Sequence, residues 1–272
     1  MKRLLAVLAA IALVAIAWGF WWEPRGLVVR EAAQSVPSWR GAPLRIGVVS
    51  DLHVGAPYCG VKKLRRVINQ LNAGRPDVIV LLGDYVIHRV WFGDFVTPEQ
   101  TAAELRALKA PLGVYAVLGN HDWWLDAPRI RRDFEFAGIR VIDDRAVRLE
   151  RAGGAFWLAG ISDYTEGPHD VRATLAQITD DAPVIAMTHN PDVFPEIPPR
   201  VALTLAGHTH GGQVALPVVG ALVVPSRYGS RYAAGAIVES GRHLYVTTGV
   251  GTSLIPVRFG VPPEIVFIEV SR

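Results

Sequence analysis

A single cysteine, Cys59, stands in a chain of 272 residues. No intrachain disulfide can form, and no cluster of thiolates can hold a metal, so cysteine usage says nothing about compartment. Cys59 reads as a small packing residue, with a reactive thiol as the rarer case. Charge is scarce as well: charged residues make up 19 % and the formal net charge is only +3. The sequence pI of 9.2 comes without any Lys/Arg run interleaved with aromatics, so no nucleic-acid partner is expected. Repeats and low-complexity segments are absent. Half of the residues are hydrophobic, enough for one sizeable core.

The amino terminus, by contrast, holds a long apolar run. After Met1-Lys2-Arg3, no charged side chain occurs from Leu4 to Trp22. As a helix this run spans about 28 Å, close to the hydrocarbon thickness of a bilayer. Trp18, Phe20, Trp21 and Trp22 crowd its far end, as interfacial aromatics do. With no polar face it does not suit a soluble surface helix. Residues 1–22 are therefore expected to be a single-pass anchor. A cleavable signal with a site at Ala15-Ile16-Ala17 is the rival, and the aromatics beyond that site argue for retention. Lys2 and Arg3 favour a cytoplasmic amino terminus and an outward-facing remainder. Arg25 and Arg30 on the other flank keep the cytoplasmic face open.

Residues 23–43 contain Pro24, Pro37 and Pro43 and read as a linker with one short helix. From residue 44 onward, short β-branched runs alternate with helical periods. Strands are expected at 44–50, 77–83 and 113–119, with helices at 61–72 and 98–109 between them, a β-α-β-α-β order. Further strands are expected near 140–149, 155–161, 183–188, 201–206, 243–248 and 264–270, with a helix near 168–178. The fold class is α/β: two packed mixed sheets flanked by helices, forming one catalytic domain over 44–272.

The polar residues that follow these runs carry the chemistry. Asp51 and His53 come after the first, Asp84 after the second, and Asn120, His121 and Asp122 after the third. His189 follows the run at 183–188, and His208 and His210 follow that at 201–206. In α/β sheets ligands collect beyond the carboxyl ends of parallel strands, so these groups should converge. In extended backbone, residues i and i+2 face the same way, which would aim His208 with His210 and Asp51 with His53. Buried together without a cation, the set would cost several kcal/mol. A mixed nitrogen and oxygen donor set suits Mn²⁺ best, with Fe or Zn²⁺ possible, rather than Mg²⁺ or Ca²⁺. The donors are too many for one ion. Two divalent ions sharing a carboxylate would use them all, attract phosphate and lower the pKa of a bridging water.

In this order, "DLH", "GDYV", "GNHD", "THNPD" and "GHTHGGQ" resemble the motifs of the calcineurin-like metallophosphoesterases. "PSRYGSRYAAG" and "GVGTSLIPVRFGVPPEI" look like one bacterial branch of that family, whose members often carry an amino-terminal membrane segment. The branch includes phosphodiesterases and enzymes that split the pyrophosphate of UDP-2,3-diacylglucosamine in lipid A synthesis. The resemblance implies that Asp51, His53, Asp84 and His210 hold one metal, and that Asp84, Asn120, His189 and His208 hold the other. His121 then matches the catalytic histidine that protonates the leaving oxygen, and Asp122 orients it. Location at a bacterial inner membrane follows from the same resemblance.

Outside the motifs, Arg227 and Arg231 are spaced to grip a second phosphate, or else to form structural ion pairs. Lys62, Lys63, Arg65 and Arg66 share the polar face of the first helix, which is either solvated or set against anionic headgroups. Trp91, Phe92, Phe95, Trp123, Trp124 and Leu125 are either core, the walls of an acyl groove, or a membrane-dipping surface. The function expected is hydrolysis of a phosphodiester or pyrophosphate in a small-molecule or lipid substrate. A general phosphodiesterase or nucleotide phosphohydrolase is the alternative, and a non-catalytic metal-bearing scaffold a third. No protein partner can be inferred.

Overall fold

A computed structural model of the chain describes residues 1–87 and 90–272. Helix α1 (Lys2–Ala17) buries none of its residues and continues through short π and 3-10 turns to Arg25. The 24-residue span Lys2–Arg25 is long and apolar enough to cross a membrane.

Two six-stranded sheets form the body. The first contains β1 (Val28–Ser35), β2 (Leu44–Val49), β3 (Val78–Leu81), β4 (Val114–Ala116) and β5 (Arg140–Val141). The second contains β6 (Arg145–Leu149), β7 (Phe156–Ile161), β8 (Val184–Thr188) and β9 (Val201–Ala206). After a small hairpin of β10 (Ala215–Leu216) and β11 (Gly220–Ala221), strands β12 (Gly235–Glu239) and β13 (Arg242–Val246) complete the second sheet. The last strand, β14 (Glu264–Ser271), returns to the first, giving the orders β1-β14-β2-β3-β4-β5 and β12-β13-β9-β8-β7-β6. Both sheets are mixed: β2 to β5 are parallel while β14 opposes β2, and β7, β8, β9 and β13 are parallel between antiparallel edges.

The core follows from side-chain alternation. In β3, Val78 and Val80 face the second sheet, while Ile79 and Leu81 face the helices. Between the sheets, Ile46, Val48, Leu158, Met187 and Leu205 are packed together. On the outer side of the first sheet lie α2 (Val61–Ala73), α3 (Pro98–Leu105) and α4 (Asn120–Phe136). Leu64, Val67, Ile68 and Leu71 supply the apolar stripe of α2. Thr97 and Gln100 close a capping box at the start of α3, with Pro98 in the first turn. A short helix, α5 (Val171–Leu175), covers the second sheet.

Several expectations need correction. Residues 23–43 are not a linker: β1 pairs in parallel with β14, and Val36 and Trp39 are buried between the sheets. The run 140–149 is two strands, one in each sheet, divided at Asp143 and Asp144. Helix α4 breaks its own period: Pro128 lies inside it and Asp126 is extended, with φ −176° and ψ 83°. Lys63 does not share the solvated face of α2. It is buried, and its Nζ donates to the carbonyls of Pro24 and Val250 at 2.7 and 3.3 Å. Cys59 is a buried packing residue whose thiol donates to the Leu52 carbonyl.

Candidate dinuclear metal site

The carboxyl ends of β2, β3 and β4 in one sheet and of β8 and β9 in the other meet at one edge. There the backbone is not extended. Asp51, His53, Asp84, His208 and His210 all have positive φ, between 40° and 68°. For non-glycine residues this costs roughly 1 kcal/mol or more each, and it persists only where the surroundings dictate it. Hydrogen bonds between the loops do so: Asp51 N–H donates to Gly83 O and His53 N–H to Asp84 O, both at 2.9 Å. The i, i+2 argument from extended backbone therefore fails, although the side chains it paired do meet.

Asp84 is the centre. The backbone N–H of His121 donates to its Oδ1 at 2.9 Å, leaving Oδ2 to face inward. Oδ2 lies 3.3 Å from His189 Nε2, 3.6 Å from His53 Nε2 and 4.0 Å from His121 Nε2. Asp122 gathers backbone donors on both of its oxygens. Its Oδ2 accepts from the N–H groups of Asp84 and Gly119 at 2.8 and 2.9 Å, and its Oδ1 accepts from Tyr85 N–H at 3.0 Å. It holds the Asp84 turn against the start of α4. Gly119 permits the approach, because a Cβ there would run into Asp84 Oδ1.

One group of donors surrounds His189. The Nδ1 of His189 donates to the Leu82 carbonyl at 2.7 Å, which turns Nε2 toward Asp84, and against the effect of burial that carboxylate raises the imidazole well above its usual pKa. That nitrogen faces Asn120 Oδ1 and His208 Nδ1, both at 3.1 Å, as well as Asp84. In the other group, His53 Nε2 and His210 Nε2 stand 3.2 Å apart, with Asp51 Oδ1 3.3 Å from His210 Nε2. Among the described residues, no hydrogen bond reaches buried Asp51 Oδ1. Within each of the sets Asp51–His53–His210 and Asp84–His189–His208, the ligand atoms lie within 4.8 Å of one another. Acceptor atoms converging on each other in a buried space are the arrangement that a cation resolves, so the residues fit two ions.

The electrostatics point the same way. Burial pushes His53 down to about 3 and His208 down to about 4, so both offer neutral imidazoles at pH 7. Burial also lifts Asp51 to about 6. It opposes ionisation of Asp84 too, but His189, His121 and His53 outweigh it and hold that carboxyl well below its usual range. Two buried carboxylates thus draw in positive charge from whatever source is at hand.

The groups open into a cavity of 330 Å³ lined by Asn120, His121 and His208 and by the apolar Trp124, Val223 and Leu254, with the Trp124 ring 4.8 Å from that of His121. Arg227 and Arg231 are not among its lining residues. Arg227 donates to the Tyr164 hydroxyl at 2.6 Å and Arg231 to Glu239 at 2.5 Å. Arg258 joins the site from outside the motifs. It is fully buried, donates to the carbonyls of Thr248, Gly251 and Val261, and sets Nη2 3.3 Å from His210 Nδ1. Its signal is the charged residue in the otherwise apolar stretch "SLIPVRFGV".

The model of the calcineurin-like phosphoesterase family matches residues 44–212. The uncharacterized metallophosphoesterase YkuE of Bacillus subtilis is 32 % identical over 219 residues, 79 % of this chain and 75 % of its own. The phosphodiesterase YaeI of Escherichia coli is 31 % identical over 246 residues, 84 % of this chain and 82 % of its own. A transmembrane protein with metallophosphoesterase domain from Danio rerio is 30 % identical over 84 % of this chain, which spans 53 % of that relative. The chain belongs to the calcineurin-like phosphoesterase family. It is a hydrolase of phosphoric esters with residue groups fitted to divalent metal.

Proposed function

We propose that this protein hydrolyses phosphodiester or pyrophosphate bonds in a lipid-bearing substrate at a membrane, using two divalent ions. The observation that carries the reading is the placement of Asp84 Oδ2 between two histidine groups while Oδ1 is tied to backbone. Asp51, His53, Asp84 and His210 would hold one ion, and Asp84, Asn120, His189 and His208 the other. Bound there, the cations supply compensation for phosphate charge and acidify water. The donors are nitrogen and oxygen, which favours Mn²⁺, with Fe or Zn²⁺ as alternatives. His121 stands in the cavity wall, where an imidazolium donates a proton to the departing oxygen. The apolar wall of Trp124, Val223 and Leu254 suits a substrate with a hydrocarbon portion, and the span Lys2–Arg25 suits a single-pass anchor in a bacterial inner membrane.

Purified full-length protein with Mn²⁺ should cleave bis(p-nitrophenyl) phosphate. His121→Ala should lose about 10²- to 10⁴-fold in turnover, the range for a general acid, while keeping its metal content. A variant with unchanged turnover would overturn the role of His121. If only soluble nucleotides are cleaved when detergent-dispersed phospholipids and nucleotide-linked lipids are also offered, the lipid preference falls and a nucleotide phosphohydrolase takes its place. A carboxy-terminal reporter active on one membrane face decides orientation, for which Lys2 and Arg3 favour the periplasmic side.

A further inference from the structure

The rim of the metal cavity is apolar and exposed. The tip of the β10–β11 hairpin carries Val218 and Val219, fully and 69 % exposed, and leads to Val223 in the cavity wall. On the same cavity, Leu254 is 66 % exposed and its carbonyl accepts from Trp91 N–H, beside Phe92 at 88 % exposure. Phe92 in turn shares an apolar hollow with Trp21 of the anchor's end. Isolated exposed apolar residues are ordinary, but a continuous face of them that starts at an apolar helix and ends at the reaction site is not.

This face is fixed to the anchor without a flexible joint. The N–H of Arg258 donates to Gly19 O at 2.9 Å. The Glu23 carboxylate accepts from Gly260 N–H, Val261 N–H and Trp18 Nε1 at 3.0, 2.6 and 2.6 Å. The hairpin attaches to the same segment, with Ala215 N–H donating to Phe259 O at 2.8 Å. Beside the aromatic end lies positive charge. Arg25 stacks on Trp21 with its guanidinium 3.6 Å from the ring centroid, and exposed Lys62 and Arg66 share a hollow with it. Aromatics followed by cations are the sequence of layers that matches a bilayer interface and its anionic headgroups.

We propose that the hairpin tip and the loops at Phe92 and Leu254 rest in the bilayer interface together with the anchor's end, so that the metal cavity opens at headgroup depth. The occupant of this face is the lipid surface itself, and a substrate phosphate reaches the metals by lateral diffusion rather than from bulk water. The inference rests on the proposed function only for what enters the cavity; the position of the face is tested separately.

Full-length protein carrying Val218→Cys is labelled with an environment-sensitive nitrobenzoxadiazole probe, since native Cys59 is buried, and reconstituted into phosphatidylcholine–phosphatidylglycerol vesicles. The control label sits at Val238→Cys on β12, also exposed and at the strand end away from the metal edge. Doxyl-labelled phospholipid should quench the probe at 218 at least twofold more than the probe at 238. Equal quenching at both sites overturns the proposal. So does a probe at 218 shielded from aqueous iodide but untouched by doxyl lipid, because a protein surface, such as a second copy, then covers the face. Quenching reads position, so its failure leaves the hydrolase reading standing, and an inactive enzyme can still show it.

Discussion

Replacing Asp122 by Asn tests which group this carboxylate serves. In the structure it accepts three backbone N–H groups, from Asp84, Gly119 and Tyr85. An asparagine oxygen in place of Oδ2 keeps the first two. Its amide nitrogen then faces Tyr85 N–H, donor against donor, in a site with no water-accessible surface. Burial raises Asp122 to about 8, so near neutral pH the substitution removes little charge. An orphaned buried N–H costs about 1–3 kcal/mol, which corresponds to a fall in Tm of about 2–12 °C for a chain of this size. Because the same bonds hold the Asp84 turn, Mn²⁺ affinity should drop by about 10- to 100-fold, as for other groups that orient a ligand from behind. Circular dichroism melts and calorimetric Mn²⁺ titration read both effects. If Asp122→Asn kept its Tm within about a degree and its metal affinity, and altered only the acid limb of the pH–rate profile, the carboxylate would be acting on His121 and this account of it would be wrong.

Asp84→Ala should leave less than one metal per chain by elemental analysis, whereas His208→Ala should leave about one; equal losses would show that Asp84 is not shared. Gly119→Ala should weaken metal binding and lower turnover, each by up to about 100-fold, since its Cβ meets both Asp84 Oδ1 and Asp84 N. Gly60→Ala, at the start of α2 with open space around it, should be near neutral in the same assays. Lys63 provides a pH test away from the metals. Burial lowers it from 10.5 to about 8, so between those values the unfolded chain holds the extra proton. Wild type should therefore gain stability relative to Lys63→Met as pH rises from about 8 to 10.5, by up to about 1.4 kcal/mol per pH unit. Urea midpoints of the two proteins at pH 7.5 and 9.5 measure it, and a constant difference would refute the assignment.

The order of the motifs made the site legible because each candidate ligand follows an apolar run, and a buried parallel strand ends where its apolar run ends. Asp51, His53, Asp84, Asn120, His189, His208 and His210 could be named on that ground, and the structure brings all seven together at one edge. Local pattern could not supply their backbone. Left-handed φ at five of the seven arises from hydrogen bonds between loops far apart in sequence, such as Asp51 N–H to Gly83 O. Segment 28–35 carries no clear strand signal because an edge strand mostly open to solvent needs no continuous apolar run. Helix α4 was hidden by Pro128 and the kink at Asp126.

The spacing of Arg227 and Arg231 suggested a shared grip, yet each takes its own partner, Tyr164 and Glu239, from another element. Arg258 and Lys63 show the same limit: a charged side chain is buried when carbonyls from separate loops surround it, and no window of sequence contains those carbonyls. The sequence alone determined which chemical groups stand at strand ends and that the first helix is apolar enough to span a membrane. Only the tertiary structure decided how those groups face one another and how the helix is joined to the domain, because both depend on contacts between residues up to about 240 positions apart, from Glu23 to Val261.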